Sequence, residues 1–240
     1  MLGQFLEISI ATTDIAATVA FYERLGFSHC TTSDTWPHRY GVLTDGRVWL
    51  GLHEYRFDSP ALTFWREHIV ASVPQFAALG IEMAFVKSGG ESFNEIGFGD
   101  PSGRMIAVLE ARTFSRSERT ATEYSACGYF SEFSQPCADF AACAAFWESL
   151  GFVAHDAVDR PFAQQVIASS AINIGLHHPA FSPKPLLVFR DSHMSDRVAS
   201  LAERGVTGKT PLPGGLSGSA NALLVAPEGT GLLLLQDDEF

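Results

Sequence analysis

Hydrophobic and polar positions along this chain switch between two periods, and the switch repeats. Phe5 to Thr12 alternate, with Ile8 and Ile10 in phase, the pattern of a half-buried strand. From Asp14 the spacing lengthens. Ile15, Val19, Tyr22 and Leu25 fall on one stripe of a helix that Asp14 caps and Gly26 ends. Short strands are then predicted at Phe27 to Thr31, Arg39 to Leu43 and Val48 to Glu54. The turn Thr44-Asp45-Gly46 joins the last two, and Asp-Gly is a strong hairpin signal. The first stretch therefore reads β-α-β-β-β.

The same order recurs three times. A second unit runs from the strand Ala61 to Trp65, through a helix from His68 to Leu79, to strands near Met83 to Lys87, Asn94 to Gly99 and Met105 to Glu110. Arg112 to Tyr124 is polar and reads as a linker. A third unit has a strand at Tyr129 to Gln135, a helix from Asp139 to Leu150, and strands near Gln164 to Ala168 and Ala171 to His177. A fourth starts at Leu186 to Phe189. Its helix spans Ser195 to Arg204, and its last strands lie near Asn221 to Val225 and Gly231 to Gln236. The helix word TTDIAATVAFYERLGF returns as CADFAACAAFWESLGF, with Asp14 and Asp139 125 positions apart, as are Gly26 and Gly151. Repeats of this kind decide the fold before anything else. The expectation is an α+β chain of four βαβββ units in two tandem domains, residues 1–112 and 127–240, joined by a linker at 113–126. Their curved mixed sheets are expected to enclose clefts lined at period two.

Composition narrows the function. The chain has 240 residues, 46% of them hydrophobic and 18% charged, which suits one or two domains with a sizeable core. The formal net charge of −11, from 16 basic and 27 acidic residues, disfavours nucleic acid and anionic membranes as partners. No apolar run nears the roughly 20 residues of a membrane span, and MLGQFLEISI reads as a strand rather than a signal peptide. A cytoplasmic protein, monomer or homodimer, is expected. The four cysteines form no C-x-x-C pair and read as small apolar filling.

The words DIAATVAFYERLGF with DPSGRMIAVLE, and DFAACAAFWESLGF with APEGTGLLLLQ, resemble the vicinal oxygen chelate superfamily across nearly the whole chain. That superfamily includes glyoxalases, extradiol dioxygenases, fosfomycin-resistance enzymes and bleomycin-resistance proteins. The resemblance implies a divalent metal held on the first and last strands of paired units. One ligand is a His seven residues before the Asp that opens the helix, a position occupied here by Glu7 and Glu132. The corresponding positions of units two and four are Ala61 and Leu186, and the last-strand glutamate register gives Ala107 and Leu233. A catalytic metal wants about three protein ligands, so most of the set is missing and no metal site is expected.

The acids that remain are candidates for chemistry. A carboxylate inside an apolar strand is costly unless it is paired, so Glu7 and Glu132 are candidate acid–base or ligand-contacting groups. His53 and His177 follow Gly51 and Gly175 by two, on the same strand face, and are their candidate partners. Aromatics make up 12% of the chain. Trp36, Trp49, Phe64, Trp65, Phe93, Phe98, Phe162, Phe181 and Phe189 stand where a cleft could be lined, which suits planar or cationic ligands. Two functions follow. One is a binder of a small aromatic molecule that uses no cofactor, similar to the bleomycin-resistance branch. The alternative is an enzyme: a glyoxalase or dioxygenase type with a divalent metal ion, or a metal-free lyase or isomerase with a cleft glutamate as base.

Overall fold

The computed structural model describes residues 1–33, 36–89, 93–115, 125–209, 211–218 and 220–237. Unit one comprises β1 (Gln4–Ala11), α1 (Ile15–Arg24), β2 (Ser28–Thr32), β3 (Tyr40–Thr44) and β4 (Trp49–His53). Unit two comprises β5 (Ala61–Trp65), α2 (Val73–Ala78), β6 (Met83–Lys87), β7 (Glu95–Gly99) and β8 (Met105–Leu109). A two-residue strand, β9 (Phe114–Ser115), follows. Unit three has β10 (Tyr129–Pro136), α3 (Phe140–Ser149), β11 (Val153–Ala154), β12 (Gln164–Ala168) and β13 (Ile174–His177). Unit four has β14 (Leu186–Asp191), α4 (Met194–Glu203), β15 (Ala222–Val225) and β16 (Gly231–Gln236).

Units pair within each half of the chain. The first half forms a nine-stranded sheet in the order β6-β7-β8-β5-β1-β4-β3-β2-β9, and the second a seven-stranded sheet in the order β11-β12-β13-β10-β14-β16-β15. Antiparallel pairing of β1 with β5, and of β10 with β14, joins two units edge to edge. Within units the first strand lies parallel to the last, as β1 does to β4, which a crossover helix permits. The expected α+β fold of paired units in two curved sheets is therefore the observed one. Among the described residues unit four shows two strands after its helix rather than three. The backbone bond from Lys209 N to Leu223 O is what stands in place of the third.

The caps read from sequence are present. Asp14 accepts from Ala17 N and Asp139 from Ala142 N, each at 3.0 Å. Helix α2 is shorter than expected. Pro74 stands in its first turn, where it has no N–H to donate, and a 3₁₀ turn at Ile69–Ser72 replaces the helix start. Helix α4 begins at Met194, one residue ahead of the expected start, and Asp191 accepts from His193 N just before it. The linker begins later than 113. Thr113 accepts from Ser33, and β9 pairs with β2, so residues 113–115 belong to the first sheet. Residues 116–124 lie outside the described residues.

One apolar cluster runs through both halves. It takes Ile8, Ile10, Tyr22, Leu25, Phe64, Phe76 and Phe98 from the first, and Phe133, Trp147, Ile174, Phe189 and Leu234 from the second. The hairpin turn of each half also reaches the other. Asp100 accepts from Gln135, and Glu228 accepts from the Tyr22 hydroxyl at 3.1 Å. With the helix-covered faces shared in this core, the opposite face of each sheet carries the clefts. All four cysteines are free and buried, as the filling role requires.

Candidate functional site

Each half presents a row of side chains across the clefted face at one level of the sheet. Registered strand pairs define it: Gly97 to Ala107, Ala107 to Thr63, and Thr63 to Glu7 in the first half. The equivalent row in the second half is Leu223, Leu233, Val188 and Glu132. Apart from the glutamate that ends each, the first row is small and the second is large and aliphatic.

That difference decides which cleft is open. In the second half Phe162, Leu186, Val188, Leu233 and Leu235 cluster, with Phe181, Leu216 and Leu223 packed on them. Phe162 and Phe181 stack at 3.8 Å between centroids, and Phe181 closes over Gly214, where a Cβ would meet its ring at 2.7 Å. Side chains fill the space. In the first half a cleft of about 530 Å³ remains, with Ser9, Ala61, Thr63 and Ala107 on its floor and Trp36, His38, Phe57, Phe85 and Phe93 around its walls. Arg56, Lys87 and Glu95 also line it, and Lys87 pairs with Glu95 at 2.7 Å. A wider groove of about 790 Å³ lies across the Trp36 to Tyr40 stretch, between α1 and β3, and is more open to solvent.

Glu7 is turned to the clefted face of the sheet by a β-bulge. The register with β5 shifts between Phe5 and Glu7, so Phe5 enters the core while Leu6 and Glu7 both turn to the clefted face. The same shift occurs between Phe130 and Glu132. Glu7 is 1% exposed and is met by three donors. Tyr40 Oη donates to Oε2 at 2.5 Å, Ser9 Oγ to Oε1 at 2.8 Å, and His53 Nε2 lies 3.0 Å from Oε1. Each donor is backed by another group: Thr113 Oγ1 is 2.8 Å from Tyr40 Oη, Thr63 Oγ1 is 2.7 Å from Ser9 Oγ, and His38 Nε2 is 3.0 Å from His53 Nδ1. A buried carboxylate satisfied in this way is held in one place. Gly51 lies directly beneath it; a Cβ there would be 2.0 Å from Glu7 Oε1. Burial, then the Glu7 charge, pushes the Tyr40 phenol far above its ordinary pKa, so it stays a donor. Burial, then His53, lowers the pKa of His38.

The second half keeps the residues and loses the arrangement. Glu132, Ser134, Gly175 and His177 match Glu7, Ser9, Gly51 and His53. But Tyr40, which pairs with His53 in register, is replaced by Gln164 opposite His177. Here Ser134 Oγ is 2.8 Å from His177 Nδ1, and the ring's Nε2 lies 3.1 Å from the Ser182 carbonyl. Glu132 Oε1 has no hydrogen-bond partner among the described residues. Burial raises the Glu132 pKa to about 7, against the pull of Arg190, and lowers that of His177 to about 4.

The candidate residues thus separate. Glu7 and His53 meet beneath the open cleft, which His53 lines, whereas Glu132 and His177 lie under a filled one and do not bond to each other. Phe64 and Phe189 are corrections: both face the core, where Phe64 packs on Phe5 and Phe189 on Phe130. Adjacent strand residues point to opposite faces, so Phe64 and Trp65 could not both line one cleft. Trp49 and Trp65 pack in a small apolar cluster around Leu6 and Leu109, beside the cleft rather than in its lining. Sequence reasoning missed His38, Tyr40, Ser9 and Thr63. The repeated Glu-x-Ser of Glu7 to Ser9 and Glu132 to Ser134 was the signal for the serine. Nothing in the sequence marked His38.

The model of the Glyoxalase/Bleomycin resistance protein/Dioxygenase superfamily matches residues 4–113. The first half of the chain belongs to that superfamily. The likeness in fold to solved structures extends over both halves. An extradiol ring-cleaving dioxygenase from B. fuscum superposes with a TM-score of 0.66 at 14% identity, covering 99% of this chain and 72% of that one. Homoprotocatechuate 2,3-dioxygenase from Arthrobacter globiformis gives 0.62 at 15%, covering 96% and 78%. A catechol 2,3-dioxygenase gives 0.60 at 12%, covering 95% and 86%. At these identities the likeness is one of fold. No curated protein matches the chain. No helix among the described residues is long and apolar enough to cross a membrane.

The donor set tests the metal that this fold family implies. Among the described residues no three His, Cys, Asp or Glu side chains converge as a ligand group. In the first half Ala61 and Ala107 occupy ligand registers, and both nitrogens of His53 are engaged, by Glu7 and by His38. In the second half Leu186 and Leu233 occupy them, inside the apolar filling. These residues do not fit a divalent ion.

Proposed function

We propose that this protein binds a small, planar aromatic molecule in the cleft of its first half, with side chains rather than a metal providing recognition. The contrast between the two rows carries the reading. Where the second half has Leu186, Val188 and Leu233, the first has Ala61, Thr63 and Ala107, leaving a cleft of about 530 Å³, within the range of small-molecule sites. Trp36 and Phe93 meet edge to face at 5.1 Å on its wall and offer ring surface to a flat ligand. The polar floor of Ser9 and Thr63 would set orientation.

The test copies the second half into the first. Ala107→Leu is expected to weaken the quenching of tryptophan fluorescence by a naphthol at least tenfold, a loss of about 1.4 kcal/mol. The melting temperature should change little, because the added methyls enter open space. Unchanged affinity in that variant would place the ligand elsewhere and defeat this reading.

A second reading is ring cleavage of a dihydroxyaromatic, favoured by the likeness in fold to extradiol dioxygenases. It would need a metal that the donor set described above does not fit. Stoichiometric iron or manganese in protein purified without chelator, together with oxygen consumption on adding catechol, would establish it over the first.

A further inference from the structure

Glu7, His53 and His38 form a chain of hydrogen bonds from a buried carboxylate to the cleft, and its direction follows from the chemistry of its ends. Glu7 can only accept, so the proton shared with it sits on His53 Nε2. His53 Nδ1 is then an acceptor and takes the Nε2–H of His38 at 3.0 Å. This leaves the lone pair of His38 Nδ1, for which no partner is found among the described residues, on a ring that lines the cleft. The arrangement orders a histidine by a second histidine and a carboxylate, the logic by which an imidazole is held in one tautomer and its cation stabilised when it forms. The ring is also fixed from the side: Tyr55 stacks on it at 5.1 Å and Trp36 tilts against it at 5.4 Å.

Resting on the binding reading above, we infer that the ligand is an acidic hydroxyaromatic compound whose proton passes to His38. In this step the ligand O–H bond breaks and an N–H bond forms at His38 Nδ1. The electron pair stays on the ligand oxygen, and no oxidant or further reactant is required. The imidazolium then sits one histidine away from the Glu7 carboxylate, which offsets its charge. Arg56 lines the same cleft and favours an anion there. Glu95 is already neutralised by Lys87 at 2.7 Å.

The probe is 4-nitrophenol, whose ionised form absorbs at longer wavelength, compared with its methyl ether 4-nitroanisole, which has no proton to give. At a pH below the free phenol's own pKa, binding is expected to generate the phenolate band, with the bound pKa lowered by roughly one unit or more. The phenol is also expected to bind at least tenfold more tightly than the ether. His38→Gln and His53→Gln should remove the band and the tenfold preference. His29→Gln, at an exposed ring paired with Glu23 outside the cleft, should leave both intact. Tryptophan quenching by both compounds with equal affinity and no phenolate band would overturn the proton transfer while leaving the cleft reading in place. Absence of quenching by either would overturn both. A band that persists in His38→Gln would assign the proton to another group and end this inference.

Discussion

Glu132→Gln is expected to stabilise the protein by about 3 kcal/mol at pH 8 and to leave stability almost unchanged at pH 4. The carboxyl is 1% exposed and its Oε1 lacks a partner among the described residues, so burial favours the neutral form and raises its pKa to about 7. In the unfolded chain the same group ionises near the ordinary Glu value of about 4.3. Below that value both states are protonated and the shift contributes nothing. Between the two values the unfolded state releases its proton and the folded state keeps it, so stability falls as pH rises. Above pH 7 both states are ionised and the full penalty remains. Glutamine cannot ionise and escapes it. His177 acts in the opposite direction. Its pKa of about 4 lies below the unfolded value, so it costs stability as pH falls from about 6.5 towards 4. The two terms oppose each other across the acidic range. The variant lacks the Glu132 term, so its gain over the wild type should grow from pH 4 to about 7 and then level off. Thermal melts at pH 4 and pH 8 provide the check. A gain of roughly 6–12 °C at pH 8 is expected for a chain of this size. Equal shifts at both values would mean that Glu132 ionisation is not coupled to folding.

Much of this architecture was legible in the chain because each unit repeats one change of period. The alternation around Ile8 and Ile10, the stripe of Ile15, Tyr22 and Leu25, and the caps Asp14 and Asp139 all lie where the pattern put them. Glu7 and His53 were also readable, since a buried acid must find a partner and His53 shares the face of Gly51. Four features were beyond local pattern. Period two places Phe5 and Glu7 on one face, and only the bulge separates them. Phe64 and Phe189 alternate with Thr63 and Val188, so an aromatic-rich strand did not reveal which aromatic faced the cleft. The fate of the two glutamates was set at a distance. Glu132 lacks its donor because Gln164 stands where Tyr40 does, on a strand whose pairing no local window contains. His38 was the least visible, since it lies in the segment before β3 and acquires meaning only when that segment folds over His53. The volume contrast of Ala61, Thr63 and Ala107 with Leu186, Val188 and Leu233 was present in the sequence. It becomes informative once the register shows that these residues share one row.

Gly51→Ala is expected to destabilise the protein by about 3–5 kcal/mol, and to cost almost nothing once Glu7 has been replaced by Ala. The backbone is not the reason, because Gly51 does not adopt the left-handed conformation that glycine alone tolerates. The reason is the side chain above it. An alanine Cβ would fall 2.0 Å from Glu7 Oε1 and 2.3 Å from Oε2. An exposed glutamate would swing away at little cost. This one is gripped by Tyr40, Ser9 and His53, so moving it strands a buried carboxylate and leaves three donors unmatched. Glu7→Ala alone should cost a similar amount, since the donors lose their acceptor and a cavity opens. In the double variant the new methyl enters the space that the carboxylate has vacated. It also removes the entropic cost of glycine in a strand, about 0.5–1 kcal/mol. The costs should therefore be far from additive, with a coupling of about 3 kcal/mol or more. Urea denaturation of the wild type, both single variants and the double variant measures it directly. Two penalties that simply add would show that Glu7 is free to move, and that the three donors do not fix the carboxylate on which the His53–His38 chain is anchored.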